Sequence, residues 1–208
     1  MKMANDPYKV YGRQRTDSAK VLGEMLENNP SFLNQYIQAI SNTTNPQDEP
    51  VGAISKVEMV LDKLRNEEIL IYLADSLRNE GTRYKPAGLY REGEDFEGAP
   101  DTAFVPRHAD PSFVDWKIQA PHTGIHEALL HGSGGRHINK RSGETWWGGR
   151  LGADLVNYFY PGSYPSREEV RKSSQGSYLN EEEALVESMK ENNLYDRYVE
   201  SLMEKFEE

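Results

Sequence analysis

The stretch PHTGIHEALLHGSGGRH, residues 121–137, carries four of the five histidines of a 208-residue chain, and the fifth, His108, lies just upstream. The spacing inside this stretch constrains the fold more than any other feature. His126-Glu127 is followed by the next histidine at His131, one residue too late for the zinc-protease spacing HExxH. In a regular helix each residue turns by about 100°, so positions five apart point about 140° away from each other. Two arrangements bring a pair of imidazoles together. His122 and His126 stand at the good spacing of four, but Pro121 and Gly124 make that a ragged helix start, and Glu127 is left without a role. Alternatively, a π-bulge adds a residue to one turn and places His126 and His131 on one face. The second is preferred because it also uses Glu127.

The chain has no cysteine, which excludes disulfides, thiolate metal sites and a cysteine nucleophile. Any metal is therefore held by nitrogen and oxygen. The net charge of -10 and the sequence pI of about 5.1 argue against nucleic acid or an anionic membrane as partner, and the basic run RHINKR at Arg136–Arg141 is too short to overturn that. The hydrophobic fraction is 37% and the mean hydropathy is -0.79. The longest apolar run, ILIYLA from Ile69, falls far short of the roughly 20 residues that span a bilayer. The first residues, MKMANDPYKVYGRQR, lack the apolar core of a signal peptide. The expected location is the cytoplasm, and export by a specialised secretion system fits the same sequence.

Thr16 to Ile40 reads as two short amphipathic helices broken at NNPS, with Ser31 capping the second. From Ile54 to Leu77 the apolar positions Val57, Val60, Leu61, Leu64, Ile69, Tyr72, Leu73 and Leu77 recur mostly at steps of three and four, which predicts a core helix or pair of helices stopped by Gly81. Residues 82–121 give no helical period and only hints of short strands. Leu151–Tyr160 reads as a helix, the loop YPGSYPSREE follows, and Asn180 opens a long charged helix. The expected architecture is mainly α, a single compact helical domain with long irregular loops.

A catalytic zinc commonly takes two histidines and one glutamate, the glutamate from a second element. NEEEALVES, residues 180–188, offers it: Glu183 and Glu187 lie four apart on one helical face, with Glu182 beside them. Alone, a glutamate-rich helix start is usually a solvated first turn favoured by the helix dipole. Together, however, HEALLHGSG and EEALVES resemble the HExxxH and EExxxE motifs of the dipeptidyl-peptidase III family of zinc peptidases, usually written HELLGHGSG and EECRAES. Between them RSGETW, Arg141–Trp146, looks like a third family segment in the family's order.

The resemblance runs from Gly124 to Ser188. It implies one Zn2+ per chain bound by His126, His131 and Glu183, a metal-bound water activated by Glu127, and hydrogen bonds that the ligand histidines donate to Glu182 and Glu187. Arg141, His137 and Tyr178 are candidates for transition-state or substrate contacts. Arg150, Tyr158, Tyr160 and Tyr164 are alternatives for an oxyanion, and Trp146 and Trp147 for either a cleft or the core. His108 and His122 read first as ordinary surface or core histidines, His122 also as a competing ligand. The expected organisation is one domain, 1–208, in which 1–50 is an N-terminal helical segment and 116–208 a zinc-binding catalytic core. The site then lies between a bulged HExxxH helix and an EExxxE helix.

The expected function is a zinc-dependent peptide hydrolase acting on a peptide or protein substrate. The alternative is a non-catalytic zinc-binding interaction module or effector that retains the metal site. Glu127 favours the hydrolase, since a structural site has no use for a free carboxylate there. Family members are larger and two-lobed, and a 208-residue chain has no room for a second full lobe, so metal binding carries over further than dipeptide release. No sequence signal sets an oligomeric state.

Overall fold

A computed structural model describes residues 8–43, 52–79, 88–93, 99–107, 116–134, 137–138, 145–146 and 178–204. The chain opens on strand β1 (Tyr8–Arg15), followed by helices α1 (Ser18–Asn28), α2 (Pro30–Thr43) and α3 (Ala53–Arg65). Strands β2 (Ile69–Asn79), β3 (Leu89–Arg91) and β4 (Asp101–Pro106) come next. Helix α4 (Trp116–Ile125) continues without a break into a π-helix, His126–His131. A short ribbon, β5 (His137–Ile138) and β6 (Thr145–Trp146), precedes α5 (Tyr178–Glu191) and α6 (Tyr195–Met203).

The fold is therefore α/β and not mainly α. A four-stranded mixed sheet in the order β1-β2-β4-β3 forms its second layer. The N-terminal segment is not wholly helical either, since β1 pairs antiparallel with β2 from Tyr8↔Asn79 to Arg15↔Tyr72. Strand β2 pairs parallel with β4 from Ile69↔Asp101 to Ala74↔Pro106, and β3 lies antiparallel to β4. Among the described residues no helix is long and apolar enough to cross a membrane.

The predicted helical run from Ile54 to Leu77 is in fact a helix and a central strand. Helix α3 ends where the Asn66 N–H bonds Asp62 O and Glu67 takes a left-handed φ of 57°. After that turn ILIYLA is extended, with strands on both sides. Ile69, Ile71 and Leu73 face the helices, while Leu70 and Ala74 are buried on the opposite face. A strand buried on both faces shows a continuous apolar run instead of alternation, which is why it passed for a helix.

The helices pack on one face of the sheet. Ile69, Ile71, Leu73, Ala103 and Val105 meet Leu22, Leu26, Phe32, Tyr36, Leu64, Leu129, Leu185 and Tyr198 in one buried cluster. A smaller cluster of Ala74, Leu77 and Phe104, with Val10, Tyr72 and Leu89 against it, covers the other side. The break between α1 and α2 lies where expected, but its cap is Asn29. The Asn29 Oδ1 accepts the Phe32 N–H at 2.9 Å, and Pro30 occupies the first helical position, where a missing N–H costs nothing. The expected C-terminal helix is two helices, interrupted at Asn193, whose φ is 57°. Gly81, Leu151–Tyr160 and the loop after it lie outside the described residues.

Asp101, at the start of β4, ties three elements together. Its carboxylate accepts hydrogen bonds from Lys63 Nζ at 2.6 Å, Tyr90 Oη at 2.7 Å and the Gly93 N–H at 2.8 Å. Burial alone would push this carboxyl up, but the three donors outweigh it and hold it below the ordinary aspartate value. A folded value below the unfolded one means the stabilisation is complete above the ordinary value and is lost as pH falls through the lowered one. Removing one partner of a buried pair leaves the rest unsatisfied, so Asp101→Ala is expected to cost about 3 kcal/mol at neutral pH. That corresponds to a melting temperature lower by roughly 6–12 °C, with the gap to wild type narrowing below about pH 4. Melts at pH 7 and pH 3 check it; a constant gap would mean that the charge is not what stabilises.

Candidate metal centre

The geometry of the candidate site starts from a backbone irregularity. At the end of the π segment the Gly132 N–H bonds Glu127 O at 3.2 Å, five residues back, and the Ser133 N–H bonds Leu129 O at 3.2 Å, four residues back. The ladder thus passes over the carbonyl of Ala128. That carbonyl lies against Gly132 so closely that a Cβ there would collide with it, so glycine is required at this position. Tyr36, fully buried on α2, donates its hydroxyl to Leu129 O at 2.8 Å, and Tyr198 of α6 donates to Pro121 O at 3.3 Å. The widened turn is therefore held from outside as well as by its own bonds.

The wider turn brings the two histidines of the five-residue spacing together. The His126 and His131 rings lie 4.8 Å apart, nearly edge to face at 75°. His126, Glu127 and His131 are all buried, and each presents a ligand atom within 4.8 Å of the others, a group that can hold a metal ion. Glu127 Oε2 lies 3.9 Å from His131 Nε2.

Helix α5 supplies the support. Glu182, only 1% exposed, places Oε2 3.1 Å from His126 Nδ1 and Oε1 3.0 Å from His122 Nδ1. An ionised carboxylate has only acceptors, so both Nδ1 atoms carry hydrogen and the Nε2 of neutral His126 carries none. Burial opposes the charge of Glu182, but the hydrogen bonds from His122 and His126 outweigh it and lower its pKa. Burial likewise opposes an imidazolium at His126, yet the Glu182 hydrogen bond and the charges of Glu127 and Glu182 raise its pKa. Glu127 goes the other way: burial pushes its carboxyl up to about 7, His126 resists, and the charge of Glu182 adds to the rise.

Gly88, just ahead of β3, closes over Glu127. A Cβ at Gly88 would collide with Glu127 Oε1 and the Thr123 methyl. Gly88→Ala is therefore expected to displace the Glu127 carboxylate and to cost about 1–3 kcal/mol, the usual range for overpacking. Thermal unfolding measures the cost, and a variant as stable as wild type would show that this contact gives way freely.

The remaining predicted residues are placed unequally. Glu183 is half-buried on α5 beside Glu182, outside the three-residue group. Glu187 does not meet a ligand histidine: its side chain is 64% exposed and its Oε1 accepts from Lys190 Nζ at 2.7 Å. The reason is again spacing, because Glu182 and Glu187 are five apart on a regular α-helix and so face about 140° apart. Tyr178 opens α5, and the backbone of His137 pairs with Trp146 in the β5–β6 ribbon. His108, Arg141, Trp147, Arg150, Tyr158, Tyr160 and Tyr164 lie outside the described residues.

Sequence reasoning did not find the parts played by Gly88, Tyr36 and Tyr198. The two tyrosines reach the site across 93 and 77 residues of chain, and no local pattern marks such a contact. The tie of His122 to Glu182 did have a signal, its spacing of four from His126. No protein-family model, curated protein or solved structure matches this chain.

Proposed function

We propose that this chain is a zinc-dependent peptide hydrolase resembling dipeptidyl-peptidase III. His126, His131 and Glu183 would hold one zinc, and Glu127 would act as general base. The observation that carries this reading is the buried π-turn grouping of His126, Glu127 and His131, with His126 fixed by Glu182. The donor set fits zinc: neutral imidazole nitrogen and carboxylate oxygen are its usual ligands in catalytic sites, and two buried glutamates favour a cation. Glu183 is the carboxylate available from the second element, adjacent to the one already bonded to His126.

When bound, the ion supplies Lewis-acid polarisation of a water and of the scissile carbonyl. Glu127, buried beside both histidines, accepts a proton from the attacking water and returns it to the leaving amine nitrogen. Glu182 keeps His126 in one tautomer and one orientation. Ala128, Leu129 and Leu130, all fully buried, pack the intervening turn into the core and hold both imidazoles in place.

The test is elemental analysis of the purified chain together with cleavage of a mixed peptide library, with and without chelator. About one zinc per chain and chelator-sensitive cleavage are expected. A zinc-loaded chain that cleaves nothing would make the site a structural clamp in an interaction module, and a chain without metal would end the proposal.

A further inference from the structure

His122 is a part of the site that the two-histidine, one-glutamate reading leaves unused. It stands four residues before His126 on the same helical face, its side chain is 15% exposed, and it does not belong to the group that can hold a metal. Its Nδ1 lies 3.0 Å from one oxygen of Glu182, while His126 Nδ1 lies 3.1 Å from the other.

The geometry points to His122 as a positioning residue: by donating to Glu182 Oε1 it orients the carboxylate so that Oε2 holds His126 as the Nδ1–H tautomer, with no hydrogen on Nε2, the form a metal ligand needs. The last torsion of a glutamate is broad, so a single hydrogen bond does not set the plane of its carboxylate. Two bonds from successive turns of one helix do. Without His122 a carboxylate that is 1% exposed loses one of the two imidazole donors that fix its plane, and losing a buried hydrogen bond is costly. The carboxylate is then less firmly oriented, and the His126 ring loses what selects its tautomer.

This inference rests on the proposed function only for the ligand role of His126, and the tautomer itself is readable in the metal-free chain. The experiment records ring-nitrogen NMR of the full-length, metal-free protein at alkaline pH, with the His126 signal assigned by comparison with His126→Ala. It compares wild type, His122→Phe, His122→Gln and His122→Asn, and measures zinc affinity in each by chelator competition. Asparagine places an amide N–H near the position of Nδ1, whereas glutamine places it beyond.

Wild type and His122→Asn are expected to show His126 as the Nδ1–H tautomer alone. The Phe and Gln variants are expected to show a mixture and zinc binding weaker by roughly 10–100-fold, the usual effect of losing an outer-shell partner. Should His122→Phe fail to fold, Gln against Asn makes the same comparison. A single Nδ1–H tautomer with wild-type zinc affinity in the Phe or Gln variant would overturn the role given to His122. A wild type that binds no zinc would overturn the proposed function instead, and the tautomer comparison would still decide the part played by His122.

Discussion

Glu127→Gln is expected to retain the metal and to lose peptide hydrolysis by roughly 10²–10⁴-fold, the range that general acid–base catalysis contributes. The amide keeps the shape that fits beneath Gly88 but cannot take a proton from water or return one to the amine. A second effect has the opposite sign. In the metal-free chain burial pushes Glu127 from its ordinary 4.5 up to about 7, so between those values the folded state binds more protons than the unfolded one. Stability therefore falls as pH rises through that window, by about 3 kcal/mol in all, and Gln removes this penalty. Metal-free Glu127→Gln should then melt higher than metal-free wild type at pH 8 and no higher at pH 4. Undiminished turnover in the variant would refute the general-base assignment, and loss of the metal would make Glu127 a ligand.

Loss of the metal is the other large effect. His126→Ala, His131→Ala and Glu183→Ala, made singly, are each expected to reduce zinc from about one ion per chain to a trace, because each removes one of only three proposed protein ligands. For wild type, chelation is expected to lower stability by about 4 kcal/mol relative to protein held at a thousandfold excess of zinc over Kd. That corresponds to a melting temperature lower by roughly 8–16 °C. The effect should be large because the ion would join the π turn to α5, two elements far apart in sequence that already meet through Glu182. Full occupancy in the Glu183 variant would remove that residue from the ligand set. An unchanged melt after verified metal removal would mean that the two elements are held together without it.

Much of the site was legible because it is written in local spacing. A separation of five between His126 and His131 admits a shared ligand only through a wider turn, and the chain forms one at those residues. The same arithmetic should have removed Glu187 from the ligand surroundings. Glu182 and Glu187 are also five apart, and α5 is a regular helix, so only Glu182 faces His126 while Glu187 meets Lys190 in solvent.

The fold class was less legible. Ile69, Ile71 and Leu73 satisfy a period of two, but next to Val57, Val60, Leu61 and Leu64 they also extend a period of three and four. What makes them a strand is the parallel pairing of β2 with β4, some thirty residues on, and burial of both faces between the helices and the Phe104 cluster. That pairing leaves no trace in a window of ten or twenty residues.

By itself, then, the sequence determined which side chains could share a ligand, because backbone geometry relates spacing to direction within a single helix. The tertiary structure decided which of them are brought together and what surrounds them. It supplied the Tyr36 hydroxyl to a carbonyl of the π turn, the bare backbone of Gly88 against Glu127, and one buried carboxylate between His122 and His126. Each of these is a contact between segments far apart in the chain. Its energy depends on distance and burial, and neither exists until the sheet and the helices have packed.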